Sequence, residues 1–204
     1  MADARSKTDD AGSTDAGTGT ESAILDAALA EVLAHGIRRT TISDIARRCG
    51  IARQTLYRYW PDAQSVFAAL VTRELVAILP VAGAAPASLD ELVQVLVGTA
   101  DRVRGMALIA RLRETDPELL SRYILDRLGT SQYAIHAELR RRLEAGQSAG
   151  FVRDGDPVHM AAMVLLIAQS AVQSAPLVRE WLDDPAWTAE LGRALAGYLG
   201  KDAG

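Results

Sequence analysis

Residues 36–60 read GIRRTTISDIARRCGIARQTLYRYW. Thr41-Ile42-Ser43-Asp44 has the form of a capping box, with Asp in the usual Glu place, and opens a short helix whose inner face is Ile45 and Ala46. Gly50 breaks that helix, a second starts near Ala52 and runs to Tyr59 or Trp60, and Pro61 stops it. Two short helices joined by a tight turn containing glycine make a helix-turn-helix. The second helix of such a motif enters the DNA major groove with its first residues toward the base edges. Here those residues are Arg53, Gln54 and Thr55. Arginine can donate twice to guanine, glutamine can bridge adenine, and threonine can bond either way or touch a thymine methyl. Tyr57 and Arg58 lie one turn further on, within reach of phosphates, and helix N-termini add amide donors.

Upstream, Ile24, Leu25, Ala28, Leu29, Val32 and Leu33 recur at helical spacing and Gly36 closes that helix. Before it, residues 1–20 are mostly Asp, Ser, Thr, Gly and Ala, with charges of both signs and no apolar run. They read as a disordered tail and not as a signal peptide. Downstream, Asp62 can cap a fourth helix carrying Val66, Phe67, Leu70, Leu75, Ile78 and Leu79. Residues 81–87 read as a loop, and Ser88-Leu-Asp-Glu91 as the capping box of a helix to about Arg104. A short helix follows from Gly105 to Glu114. Asp-Pro recurs at 116–117, 156–157 and 184–185, where Asp caps a helix and Pro fits its first turn. The helices so opened span roughly 117–146, 157–174 and 185–199. No useful strand alternation appears. The expectation is an all-α chain of about nine helices: a tail over 1–20, a DNA-binding helix-turn-helix domain over 21–66, and a larger helical ligand-binding and dimerisation body over 67–204.

The 204 residues carry a net charge of −4. Between Arg38 and Arg58, six arginines against the single acid Asp44 give that stretch +5 and leave −9 for the rest. A basic block in an acidic protein is the footprint of a local anion-binding surface, although many charge clusters are only solvated helix faces. The one cysteine, Cys49, excludes a disulfide framework and fits a cytoplasmic protein. It reads as a small buried residue. Its unbroken apolar runs stop at Met160–Ala168, about half of a membrane span, so no membrane partner is expected. His35, His136 and His159 have no metal-ligand spacing, and there is no nucleophile elbow or phosphate-binding glycine loop. Nothing in the sequence asks for a catalytic centre, a metal or a cofactor.

The stretch 36–60 resembles the DNA-binding signature of the TetR family of bacterial transcriptional regulators, matching at Gly36, Thr41, Ile42, Ile45, Ala46, Gly50, Ile51, Thr55, Leu56, Tyr57 and Tyr59. The body matches in architecture alone. The resemblance implies a homodimer that binds a double-stranded DNA operator and is released by a small molecule held in the C-terminal body. It places DNA contacts at Thr41, Ser43, Arg53, Gln54, Thr55, Tyr57, Arg58 and Tyr59. Four positions depart from the pattern. Ala52 replaces the usual Ser or Thr cap, Gln54 stands where Gly is common, Trp60 replaces Phe, and Ala63 takes the place of a Lys.

The helix from Pro157 is apolar nearly all round and must be covered on every side. Its Met160, Met163, Val164, Ile167 and Ala171, with Trp187, Leu191 and Leu195 of the last helix, are the expected faces of an isologous four-helix dimer interface; a wholly internal helix is the other reading. Met106, Tyr123, Gln132, His136 and Gln169 are the candidate polar or soft contacts of an effector pocket, and their small number suggests a hydrophobic effector. The expected function is thus a DNA-binding regulator, a repressor lifted from a palindromic operator by its effector. The competing reading is a helical small-molecule-binding or enzymatic protein whose basic N-terminal unit is structural. Burial or acid pairing of Arg53, Gln54, Tyr57 and Arg58 would favour that competitor.

Overall fold

Side-chain caps mark the starts of several of these helices. Thr41 and Asp44 form the expected box: the Asp44 amide donates to the Thr41 hydroxyl oxygen and the Thr41 amide to the Asp44 carboxylate. Asp62 accepts from the Ser65 amide at 2.7 Å, and Ser88 from the Glu91 amide at 3.2 Å. In the second case the Glu91 carboxylate reaches back to Ala87 instead of Ser88. The computed structural model describes residues 12–79, 86–118 and 129–201, with side chains from 18 onward. Among the described residues there are nine α-helices and no strand: α1 (Gly12–His35), α2 (Ile42–Cys49), α3 (Arg53–Tyr59), α4 (Ala63–Ile78), α5 (Leu89–Arg104), α6 (Ala107–Thr115), α7 (Thr130–Ser148), α8 (Pro157–Ser174) and α9 (Asp184–Leu199). Two 3-10 turns, Ile37–Arg39 and Ala175–Val178, follow α1 and α8.

The chain divides into two units within α4, at Leu70/Val71, four residues beyond the expected boundary. In the first unit α1 packs on α2 and α2 on α3. Its core includes Ile24, Val32, Ile45, Leu56, Trp60 and Val66, all at most 9% exposed. In the second unit α5, α7, α8 and α9 surround one apolar cluster that includes Leu92, Leu143, Met160, Val164, Trp187, Leu191 and Leu195. Arg104 caps this core. Its guanidinium lies 4.5 Å from the Trp187 ring centroid and bonds to Asp101 and Asp184.

Several expectations change. Residues 12–20, read as tail, continue α1 in spite of their poor helix formers, Gly12, Gly17 and Gly19 among them. The stretch 117–146 is not one helix. Gly129 is extended (φ −85°, ψ 172°) and α7 begins after it, with Gln132 accepting from the Gly129 amide. The third Asp-Pro pair is out of register by one residue: Asp183 caps α9, so Asp184 and Pro185 are its first two residues. Asp116 ends α6 and is followed by helical Pro117 and Glu118, and Asp156 caps α8 as expected. Cys49 is half-buried instead of buried.

Five of the eight expected dimer residues are core of their own subunit. Met160, Val164, Trp187, Leu191 and Leu195 are at most 5% exposed, while Ile167 and Ala171 are half-buried against the same cluster. Only Met163, at 43%, stands clear. The exposed apolar face of α8 instead comprises Ala162, Met163, Leu166 and, with a hydroxyl, Ser170; Leu177 and Trp181 follow at 80% and 83% exposure. Residues 157–178 are also long and apolar enough, by length and composition, to cross a membrane. Counting unbroken apolar runs missed this, because only uncharged polar residues and one histidine interrupt the stretch. One face of that helix belongs to the core of the second unit.

Candidate nucleic-acid interface

The turn between α2 and α3 rests on Gly50, whose φ of 73° and ψ of 24° suit a residue without a Cβ. The Ile51 amide then bonds to Ala46 O, closing the turn. Leu56, fully buried, and Trp60, 9% exposed, fix the inner side of α3. That leaves Arg53, Gln54, Tyr57 and Arg58 exposed, with Thr55 and Tyr59 half-buried. Tyr59 lies 5.8 Å from Trp60, ring centre to ring centre, so of the two tyrosines it is the packing residue and Tyr57 the free one. No cap bond is made by Ala52, whose extended backbone (φ −68°, ψ 143°) is nonetheless that of an N-cap.

The arginines of the basic block have different duties. Arg48 Nε donates to the buried Glu31 of α1 at 2.8 Å. Arg47 bonds to Asp44 at 2.8 Å. Arg38 also has a partner. Arg39, Arg53 and Arg58 are exposed and make no ion pair among the described residues. Thr41 and Ser43 sit at the start of α2, Thr41 exposed and Ser43 half-buried. Hydrogen bonds from the Thr41 hydroxyl and amide, with Arg47 nearby, hold the Asp44 carboxyl below its ordinary range. The α3 surface is therefore an exposed set of donors with uncommitted positive charge, and the competing reading's requirement of burial or acid pairing is not met.

Known proteins share this sequence and this fold. A family model described as bacterial regulatory proteins, tetR family, matches residues 24–70. An uncharacterised HTH-type transcriptional regulator of Mycobacterium bovis is 44% identical over 176 residues, covering 86% of this chain and 92% of the relative. The chain belongs to the TetR family. It is a transcriptional regulator, from a family of DNA-binding dimers and not of enzymes. SmeT, the repressor of the Stenotrophomonas maltophilia multidrug efflux pump SmeDEF, has the same fold, with a TM-score of 0.57 at 23% identity over 90% of this chain and 91% of SmeT. It has also been solved as a complex with triclosan. The flavonoid-responsive regulator FrrA aligns with a TM-score of 0.60 at 21% identity, over 91% of this chain and all of FrrA (100%).

The expected effector contacts of this TetR-family chain are not gathered into one site by the described contacts. Gln132 is buried and its Oε1 accepts from the Gly129 amide and the Ser131 hydroxyl, which makes it a helix cap. His136 Nε2 lies 3.0 Å from the Val158 carbonyl oxygen, which only accepts, so this nitrogen carries the proton and ties α7 to the start of α8. Met106 is the half-buried residue before α6, and Gln169 is half-buried with a partner of its own. Tyr123 lies outside the described residues. The sequence reading missed Gln147, whose amide nitrogen donates to Arg153 O and Gly155 O and braces the α7–α8 turn. It also missed the Glu138–Arg142 pair, although the spacing of four was a visible signal.

Proposed function

We propose that this regulator is a homodimer that represses transcription in the cytoplasm by reading a palindromic operator through α3, and that a small apolar effector lifts it off. The observation that carries the reading is the donor set Arg53, Gln54 and Arg58 beside Tyr57, exposed and without an ion pair among the described residues. Arg53, Gln54 and Thr55 read bases, while Arg58, Tyr57 and Ser43 hold the backbone. Two heads on one dimer read two half-sites, which gives the affinity that one short helix lacks.

The second copy covers the apolar face of α8. Met163 and Leu166 are 43% and 59% exposed, and Leu177 and Trp181 more so. Such a face in water is a cost that an isologous partner removes. Effector release follows if the ligand prefers the body conformation in which the heads no longer match successive grooves; only that difference in affinity shifts the balance. The triclosan bound by SmeT and the flavonoid response of FrrA favour an aromatic, hydrophobic effector here.

Selection of random duplex DNA with the purified protein, followed by a salt series on the winning sequence, tests the reading. A palindrome whose log affinity falls steeply with log salt is the expected result. Failure to enrich any sequence, repeated after refolding to remove bound ligand, would sink it.

A further inference from the structure

We propose that the backbone contact next to the start of α2 is made by Arg39, and that Thr41, two residues on, is spent on the helix and donates to no phosphate. The inference rests on the DNA-reading function proposed above and changes which residues carry the electrostatic part of it.

A phosphate oxygen only accepts, so any side chain that holds it must donate. Thr41 has one hydroxyl proton, and it goes to Asp44 Oδ2 at 2.6 Å. Its amide is taken by the same oxygen at 3.1 Å. The hydroxyl oxygen in turn accepts from the Asp44 amide at 3.3 Å. Both donors of Thr41 are thus committed, and they are committed to a carboxylate. An anion approaching the Thr41 side chain would have to break the cap and face Asp44. Arg47 does not reverse this, because its guanidinium bonds to Asp44 Oδ1 at 2.8 Å.

Arg39 is placed differently. It closes the 3-10 turn Ile37–Arg39, whose buried Ile37 anchors it, and the Thr40 amide bonds back to Ile37 O. Thr40 is itself buried, with its hydroxyl donating to Gly36 O at 2.9 Å. The backbone under Arg39 is therefore pinned on both sides. Its side chain is exposed and makes no ion pair among the described residues. An unpaired arginine on a fixed turn, next to the helix that crosses the DNA backbone in this motif, suits a phosphate.

The test measures binding of Arg39→Ala, Arg39→Lys and a charge control, Lys201→Ala, to the selected operator and to a scrambled duplex across a salt series. Each lost phosphate contact lowers the magnitude of the log–log salt slope by about 0.9, so Arg39→Ala should lower it by about 1.8 for a dimer. Affinity for the two duplexes should fall by the same factor. Arg39→Lys should restore most of the slope, and Lys201→Ala should leave it unchanged. Thermal melting of Arg39→Ala should match the parent, since no internal contact is removed. An unchanged slope in Arg39→Ala, with the parent still binding its operator, overturns this proposal and leaves the DNA-reading function standing. A loss confined to the operator also overturns it, because it would make Arg39 a base reader. A parent protein that binds neither duplex overturns both.

Discussion

Arg48 Nε donates to Glu31 Oε1 across 2.8 Å, and this bond joins the second helix to the first from residues seventeen positions apart. Glu31 is 7% exposed, and its other oxygen lies 3.6 Å from His35 Nε2. A buried carboxylate without its cation is costly, about 3–5 kcal/mol when both partners are fully buried. The Arg48 side chain is 43% exposed, so solvent screening reduces the cost of Arg48→Ala to about 1–2 kcal/mol. Denaturant unfolding measures it. A loss below about 0.3 kcal/mol would show that water replaces the guanidinium freely.

The recognition helix can be improved. Ala52 already has the extended backbone of an N-cap and lacks only the acceptor. Ala52→Ser should add about 1 kcal/mol to stability, and Thr41→Ala should remove a similar amount from α2. Parallel thermal melts of the two variants check both signs. A destabilised Ala52→Ser would mean that the α3 cap geometry differs from the one described.

Replacing Arg53 by Ala should weaken operator binding by about 1–3 kcal/mol if it pairs with a guanine, and should relax discrimination at one position of each half-site. Gln54→Ala should do the same at a neighbouring position. Selection profiles of the variants against the parent reveal this as flattened positions. Retained affinity with an unaltered profile removes the residue from the readout.

Acid should loosen the caps before it unfolds the cores. Hydrogen bonds hold Asp44 and Asp62 below the ordinary 3.8, and the Arg141 hydrogen bond, with Arg142, holds Glu138 below 4.5. Each group binds its proton more weakly folded than unfolded. Its stabilisation is complete above the ordinary value and is lost as pH falls through the lower folded value. The melting temperature should therefore be insensitive to these three groups above about pH 5 and fall below about pH 4. Asp44→Asn should make that fall shallower; an identical acid profile counts against the role given to Asp44.

Leu166→Glu places a charge on the exposed face of α8 and should turn a dimer into a monomer while leaving the helical circular dichroism intact. Light scattering after gel filtration reads the mass. Leu195→Ala, at a fully buried site, should instead cost about 2–5 kcal/mol of stability. A Leu166→Glu variant that remains a dimer moves the interface elsewhere.

Local chemistry made most of this legible from the chain alone. Thr41, Gly50, Ser88 and Asp156 announce their helix ends because capping involves neighbours within three residues. The exposed face of α3 was legible for the same reason, since Leu56 and Trp60 mark its buried side and leave Gln54 and Arg58 opposite. What failed depends on distant partners. An apolar residue on α8 or α9 has the same spacing whether it meets its own core or a second subunit, which is why Leu191 and Leu195 were assigned to the wrong surface. The Arg48–Glu31 bond left no mark because neither residue is within a helical turn of the other. Polar residues beside an apolar stripe were equally ambiguous, and Gln132 turned out to cap α7.

The three tryptophans are distributed in a way that makes the protein its own optical instrument. Trp60 is 9% exposed in the first unit, Trp187 is 4% exposed in the second, and Trp181 is 83% exposed. Emission from the first two reports the melting of each unit separately once the other and Trp181 are replaced by phenylalanine. Trp181 emits from water and is open to iodide, so quenching at that single position records when the surface around it becomes covered. No dye or label need be attached to follow folding and association in one cuvette.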